Sequence, residues 1–170
     1  ALDPNTGKYI WHYQETPGDS WDFTSTQQMT LTSLTIDGKP RKVILHAPKN
    51  GFFYVVDRTS GKLISAEKYM PVNWADKIDL KSGRPIENPN ARYDIKGPFV
   101  ATSGPWGAHS WHPMAFSPKT GLVYIPAQMI PGLYKSVGHF TFRPGILNRG
   151  VETNIKLPDT PAAIASMEKS

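Results

Sequence analysis

The sequence predicts an all-β, turn-rich protein assembled from short antiparallel hairpins. Three observations lead there. The 170 residues include 14 glycines and 16 prolines, which leaves little room for long helices. Aromatic residues reach 11%, and Thr, Val and Ile recur in the short runs that pleated strands favour. One turn phrase also returns along the chain, each time between strand-like residues.

The phrase opens with an acidic or hydroxylic residue and closes with a glycine. It appears as Asp3-Pro4-Asn5-Thr6-Gly7-Lys8, Asp57-Arg58-Thr59-Ser60-Gly61-Lys62 and Ser117-Pro118-Lys119-Thr120-Gly121, with a looser copy at Asp79-Leu80-Lys81-Ser82-Gly83. The first residue starts the turn and the glycine takes the position that needs positive φ. Phe52 to Val56 precedes one copy, Leu63-Ile64 follows it, and Leu122 to Ile125 follows another, so these are hairpins. The step from Asp3 to Asp57 is close to the roughly 40–50-residue period of a propeller blade.

One four-stranded unit can be written in full. Strand A is expected from Trp21 to Leu31, with a turn around Asp37-Gly38-Lys39-Pro40. Strand B follows over Lys42–Ala47, then the tight turn Pro48-Lys49-Asn50-Gly51, strand C over Phe52–Val56 and strand D over Leu63–Ala66. Ser20-Trp21-Asp22 returns as Ser110-Trp111-His112, which marks the start of a further unit. The chain therefore divides into the end of a blade (1–13), a full blade (20–66), an inter-blade excursion (67–108), half of the next blade (109–128) and a long rim loop (129–170). This is a partial arc of a β-propeller, which closes with about four to eight blades. A self-contained β-sandwich is the competing architecture.

Composition excludes several functions. The formal charge is +5, but the basic residues are scattered, and the one cluster, Lys39, Arg41 and Lys42, flanks a turn. That is a solvated surface and not a nucleic-acid stripe. No segment has the length and apolarity of a membrane span, and the first residues lack a basic-then-apolar signal pattern. The absence of cysteine excludes disulfides and thiolate metal sites within the chain and leaves the redox compartment open.

Topology nominates the chemistry. In a meander blade the start of the innermost strand and the B–C turn lie at the same end of the sheet. Asp22 is placed at that start and Lys49 in that turn, with Ser110, Trp111 and His112 at the corresponding start of the next blade. The excursion from Met129 should rise from the same face. An Asp between Trp21 and Phe23 suits a general base, because a carboxylate there needs a partner to stay ionised. Lys49 would supply it and would also hold a ligand's carbonyl or carboxylate. The plainer readings are a strand-capping Asp, a solvated turn Lys and a packing Trp. His109 and His112 have a spacing used by metals on helices, which Pro113 argues against. His12, His46 and His139 have no evident partner and read as structural.

Four segments resemble the dehydrogenases that use pyrroloquinoline quinone (PQQ). Ala1 to Trp11 is similar to their tryptophan-docking motif, with Trp11 as the blade-docking residue. Tyr13 to Thr24 resembles the active-site segment of the alcohol and methanol dehydrogenase branch, and Ala47 to Arg58 its cofactor-contacting turn. Gly107-Ala108-His109-Ser110-Trp111-His112-Pro113-Met114 resembles a third contact segment. Lys49, where methanol dehydrogenases carry Arg, points to the alcohol dehydrogenases, including the quinohaemoprotein types.

The resemblance implies an eight-bladed propeller and oxidation of primary, and by extension secondary, alcohols in the periplasm. It implies Asp22 as the base that takes the hydroxyl proton while hydride passes to the quinone, and as a ligand of the Ca²⁺ that acts as Lewis acid. It gives Lys49 the quinone oxygens, and Trp111 a wall of the site. Ser110 stands where the family often has Asn, so its cofactor contact is the weakest of the set. A cytochrome or a fused haem c domain would accept the electrons, although no Cys-x-x-Cys-His site occurs in this chain. The remaining Ca²⁺ ligands, the adjacent-cysteine ring and the tryptophan platform would lie elsewhere, so the 170 residues alone are expected not to turn over alcohol. A non-enzymatic propeller of the same superfamily, serving as a scaffold, is the competing function. A scaffold has no reason to keep an acid and a Lys on one rim.

Overall fold

The computed structural model describes residues 1–152. Its centre is a four-stranded antiparallel meander of β1 (Thr30–Ile36), β2 (Lys39–His46), β3 (Phe52–Asp57) and β4 (Leu63–Lys68), hydrogen-bonded in that order. Two-stranded pairs follow: β5 (Ala75–Asp79) with β6 (Arg84–Glu87), and β8 (Ala115–Ser117) with β9 (Leu122–Tyr124). Between them lie a single helical turn, α1 (Tyr93–Lys96), and β7 (Phe99–Ala101). No helix among the described residues is long and apolar enough to cross a membrane.

The first strand lies further along the chain than its residues suggest. Trp21 to Met29 is irregular, and Asp22 has φ 64, which no regular strand accommodates. The reason is the turn that follows. Asp37 (φ 53) and Gly38 (φ 71) form a two-residue connection with both φ values positive, whose twist suits a tight hairpin. That turn sets the register Ile36↔Lys39 through Thr30↔Leu45 and pulls strand pairing forward to Thr30–Ile36. It also draws Pro40 into β2. Its missing N–H is tolerated because β3 pairs only with Val43–His46.

β3 is buried on both faces, and this defines the architecture. Phe52, Tyr54 and Val56 face a cluster with Trp21, Phe23, Trp74, Tyr93 and Tyr134. Val55, with Val43 and Leu45 of β2, faces a second cluster that contains Met114 and is flanked by Phe116 and Val123 of the β8–β9 pair. A sheet covered on both faces is how a blade sits between neighbours.

The recurring turns share one geometry. In the copies at Asp3, Asp57 and Asp79 the carboxylate accepts N–H groups two and three residues on, such as Asn5 and Thr6 (2.9 Å each). In all four copies the glycine N–H returns to the carbonyl of the opening residue at 2.7–2.8 Å. These bonds hold the Asp57 carboxyl down at about 2, the Thr59 hydroxyl contributing most. Trp11 packs across the Gly61 turn and donates to the Arg58 carbonyl at 3.2 Å, while the Tyr13 hydroxyl donates to the Gly83 carbonyl at 2.9 Å. The docking residue read from the sequence thus touches the second turn copy.

A Cβ on Gly61 would lie 2.5 Å from the Trp11 ring, at φ +74. Gly7 has a similar φ (+68) but open space around it. Gly61→Ala should therefore destabilise the full-length protein by about 2–4 kcal/mol, combining overpacking with the φ penalty, and Gly7→Ala by only ~1 kcal/mol. Thermal unfolding of the two variants checks this; equal midpoints would refute the docking contact.

The segment from Met129 is not wholly a loop. Residues Gly132–Tyr134 form β10, which pairs antiparallel with β7 in the register Gly132↔Ala101 to Tyr134↔Phe99. Gly104 and Gly132 make this possible, because a Cβ on Gly104 would stand 2.8 Å from the Gly132 backbone. The last part of the expected rim loop, 153–170, lies outside the described residues.

Candidate active site

Asp22 and Lys49 meet. The Lys49 ammonium lies 3.5 Å from the Asp22 carboxylate and donates to the Asp22 carbonyl at 3.0 Å. The lysine side chain is 13% exposed and the aspartate side chain 60%, so the cation reaches out of the fold toward an accessible acid. Asp22 is not at the head of a strand, as expected, but in the irregular segment ahead of β1. The two residues converge because the segment and the β2–β3 turn are each held from several sides.

The Asp22 segment hangs on buried aromatic groups. Trp21 is fully buried, stacks on Phe23 (5.7 Å, 25°) and leans on Trp74 (5.3 Å). Its indole N–H donates to the Ala91 carbonyl at 2.9 Å, and its own carbonyl accepts from the Tyr134 hydroxyl at 2.6 Å. The Tyr93 hydroxyl donates to the Ser20 carbonyl at 2.7 Å. Arg92 lies over the Trp21 ring at 4.4 Å, donates to the Pro17 and Gly18 carbonyls and is paired with Glu87. Left-handed backbone at a non-glycine residue costs of order 1 kcal/mol or more and persists where the surroundings over-determine it. These contacts do so for Asp22.

The Lys49 turn is anchored as firmly. Asn50 is fully buried; its side-chain amide donates to Thr16 Oγ1 (3.1 Å) and Tyr54 OH (2.8 Å), and its backbone carbonyl accepts from the Trp74 indole at 2.8 Å. The Tyr69 hydroxyl donates to the Pro48 carbonyl at 2.6 Å. From the other side, the Ala108 N–H donates to the Lys49 carbonyl at 2.9 Å, which lays the Gly107–His112 segment across the turn.

Ser110 and Trp111 are brought to this neighbourhood through the backbone. Neither side chain contacts Asp22 or Lys49 among the described contacts. Trp111 is 76% exposed and stacks on His112 at 4.5 Å, so it presents an open aromatic face. Ser110 is half-buried. The metal reading of His109 and His112 is ruled out for His109, whose ring nitrogens both face backbone carbonyls.

Several residues escaped sequence reasoning. His46 has a partner after all: its Nδ1 lies 2.7 Å from Glu15 Oε1 and its Nε2 faces the Gln27 carbonyl at 3.1 Å. His12 Nδ1 is 2.8 Å from the Tyr9 hydroxyl. Asp19 accepts from the Trp21 N–H at 2.9 Å. Burial pushes its carboxyl up, opposed by the Trp21 and Phe23 amides, while Asp22 pushes it further and Lys49 opposes. The phrase Gly-Asp-Ser-Trp-Asp was a signal for Asp19. Arg92, Tyr93 and Tyr134 carried none, since they meet Asp22's segment only across long stretches of chain.

The resemblance implies two bound groups, PQQ and Ca²⁺. The Lys49 ammonium and the exposed Trp111 ring are the kinds of group that suit a planar, anionic quinone. Ca²⁺ takes six to eight oxygen ligands. No group of three or more His, Cys, Asp or Glu that could hold a metal occurs among the described residues, so these residues do not by themselves form a metal site.

A four-stranded meander whose β3 is buried on both faces, with an acid–cation pair beside the β2–β3 turn, fits one class: a blade of a β-propeller. The chain is similar to the propeller domain of PQQ-dependent alcohol dehydrogenases over most of its length. The family model described as the glucose/ethanol/alcohol dehydrogenase β-propeller domain matches residues 1–82. The chain is 64% identical over 138 residues to quinohemoprotein alcohol dehydrogenase ADH IIB of Pseudomonas putida, covering 81% of this chain and 20% of that protein. It is 66% identical over 131 residues to the quinohemoprotein alcohol dehydrogenase of Comamonas testosteroni, covering 77% and 18%. The crystal structure of the Comamonas testosteroni enzyme superposes with a TM-score of 0.86 at 53% identity, covering 94% of this chain and 25% of that one. A europium-containing methanol dehydrogenase gives 0.82 at 38% identity, covering 88% and 26%. The chain thus spans a quarter or less of the length of the alcohol dehydrogenases cited.

Proposed function

We propose that this chain contributes one rim of the alcohol-oxidising site of a PQQ-dependent dehydrogenase. The observation that carries this is the meeting of Asp22 and Lys49, at 3.5 Å, on segments that are each held from several sides. Asp22 accepts the proton of the substrate hydroxyl, and its exposed carboxylate has the reach. Lys49 donates to oxygens of the cofactor, and its buried stem limits the positions the ammonium can take. Trp111 offers its open face as a wall of the pocket, with Ser110 beside it. PQQ, when bound, supplies the two-electron acceptor.

The same reading assigns residues 20–66 to a full blade, flanked by 1–13 and 109–128 from its neighbours. It makes Asp22 one oxygen donor to Ca²⁺, with the other ligands outside this chain. It places the protein in the periplasm, delivering electrons to a cytochrome or a fused haem c domain. The match of residues 1–82 to the family model and the relatives named quinohemoprotein alcohol dehydrogenase support these assignments.

Replacing Lys49 tests the site directly. In the full-length protein Lys49→Ala should weaken PQQ binding by about 30-fold, the scale of truncating a largely desolvated charged contact, ~2 kcal/mol. Lys49→Arg should retain most of the affinity. Titration of the cofactor-free protein with PQQ measures both, and an unaltered affinity in Lys49→Ala would count against the assignment.

A further inference from the structure

The lysine rests on a second, hidden device. His109 is completely buried. Its Nδ1 lies 2.6 Å from the Ala47 carbonyl, at the entry to the Lys49 turn, and its Nε2 lies 2.7 Å from the His112 carbonyl, just past Trp111. Carbonyl oxygens only accept, so each neutral tautomer serves one of these contacts and the doubly protonated ring serves both. The backbone around the ring is tied to the same turn and to the segment ahead of β1. Ala108 N–H donates to the Lys49 carbonyl (2.9 Å), and the Gln27 amide donates to the His109 carbonyl (3.2 Å).

Gly107 completes the arrangement. A Cβ there would lie 2.3 Å from Lys49 Cγ and 2.7 Å from Lys49 Cα, and its φ is +76. The segment therefore runs flush against the lysine stem, which only glycine allows. Gly107, Ala108 and His109 together form a brace behind Lys49.

We propose that His109 is a positioning residue: its imidazole ties the β2–β3 turn to the Ser110–His112 segment and so aims the Lys49 ammonium at the cofactor side of the rim. The proposal rests on the cofactor-binding role of Lys49 and adds the group that sets its direction. The arm to Ala47 does the aiming, because it acts on the turn that carries Lys49. The arm to His112 steadies the aromatic side of the site.

The test uses PQQ titration of the cofactor-free, full-length protein, with thermal unfolding as a check on each variant. His109→Asn places an amide N–H near the position of Nδ1 and keeps the arm to Ala47; His109→Gln reaches the position of Nε2 and keeps only the arm to His112. His109→Asn should hold PQQ within about twofold of the parent, while His109→Gln and His109→Ala should each lose about tenfold, the worth of one buried hydrogen bond. In a Lys49→Ala background His109→Ala should cost less than about twofold more, because the group it positions is gone. A purely structural His109 would cost the same factor in both backgrounds, and that result overturns the proposal, as does equal behaviour of Asn and Gln. If His109→Ala fails to fold, the Asn and Gln pair still decides. If Lys49→Ala alone leaves PQQ affinity unchanged, the cofactor role of Lys49 falls and this proposal with it; failure at His109 alone leaves that role standing.

Discussion

Asp22→Asn in the full-length protein should lower alcohol turnover by about 10²–10⁴-fold while leaving PQQ bound, the range expected for loss of a positioned general base. The substitution is nearly isosteric, and Asn accepts left-handed backbone as readily as Asp, so the φ of 64 survives. What disappears is the carboxylate. Its ion pair with Lys49 is open to solvent on the aspartate side, and such pairs contribute ~0–1 kcal/mol, so little stability should be lost. The measurement is steady-state dye reduction with a primary alcohol, set beside PQQ content by absorbance. Unchanged turnover with full cofactor would remove Asp22 from the chemistry. Loss of cofactor along with turnover would reassign it to binding.

The second large effect is on stability. Trp21→Ala should cost about 3–5 kcal/mol, the range for emptying an aromatic site in a packed core. Trp21 is fully buried against Phe23 and Trp74, and its indole is the partner of the Ala91 carbonyl. Trp21→Phe keeps much of the packing but orphans that carbonyl, so about 1–3 kcal/mol should go. Urea unfolding of the full-length protein, followed by near-ultraviolet circular dichroism, reads both. A loss below ~1 kcal/mol for the Ala variant would mean that the core around Asp22 is not closed as described. The Phe variant should also lower turnover, since Trp21 fixes the backbone that presents Asp22.

Local features were legible wherever a short stretch of chain decides its own geometry. The Asp-to-Gly turns are such a case, because carboxylate, amides and the left-handed glycine lie within five residues of each other. Phe52 to Val56 reads as a strand and is one, since its aromatic and β-branched residues meet core on both faces. Strand A was misread for the opposite reason. Trp21, Phe23 and the following threonines look strand-like, yet their place is set by Trp74, Ala91 and Tyr134, far away in sequence, and by the Asp37-Gly38 turn that pulls β1 onward.

The site divides in the same way. Asp22 and Lys49 are visible as an acid among aromatics and a cation in a tight turn, and the family-like segments around them single them out. Their contact at 3.5 Å is a product of tertiary structure alone, as are the Arg92, Tyr93 and Tyr134 contacts behind Asp22 and the His109 brace behind Lys49. The amino-acid sequence by itself determined a β-rich, turn-punctuated chain, because turn chemistry and strand composition act over a few residues, and its resemblance to the quinoprotein dehydrogenases implied the rest. Tertiary structure decided where the first strand begins, which way Asp22 faces and what holds Lys49, because those depend on burial and hydrogen bonds between segments that only folding brings together.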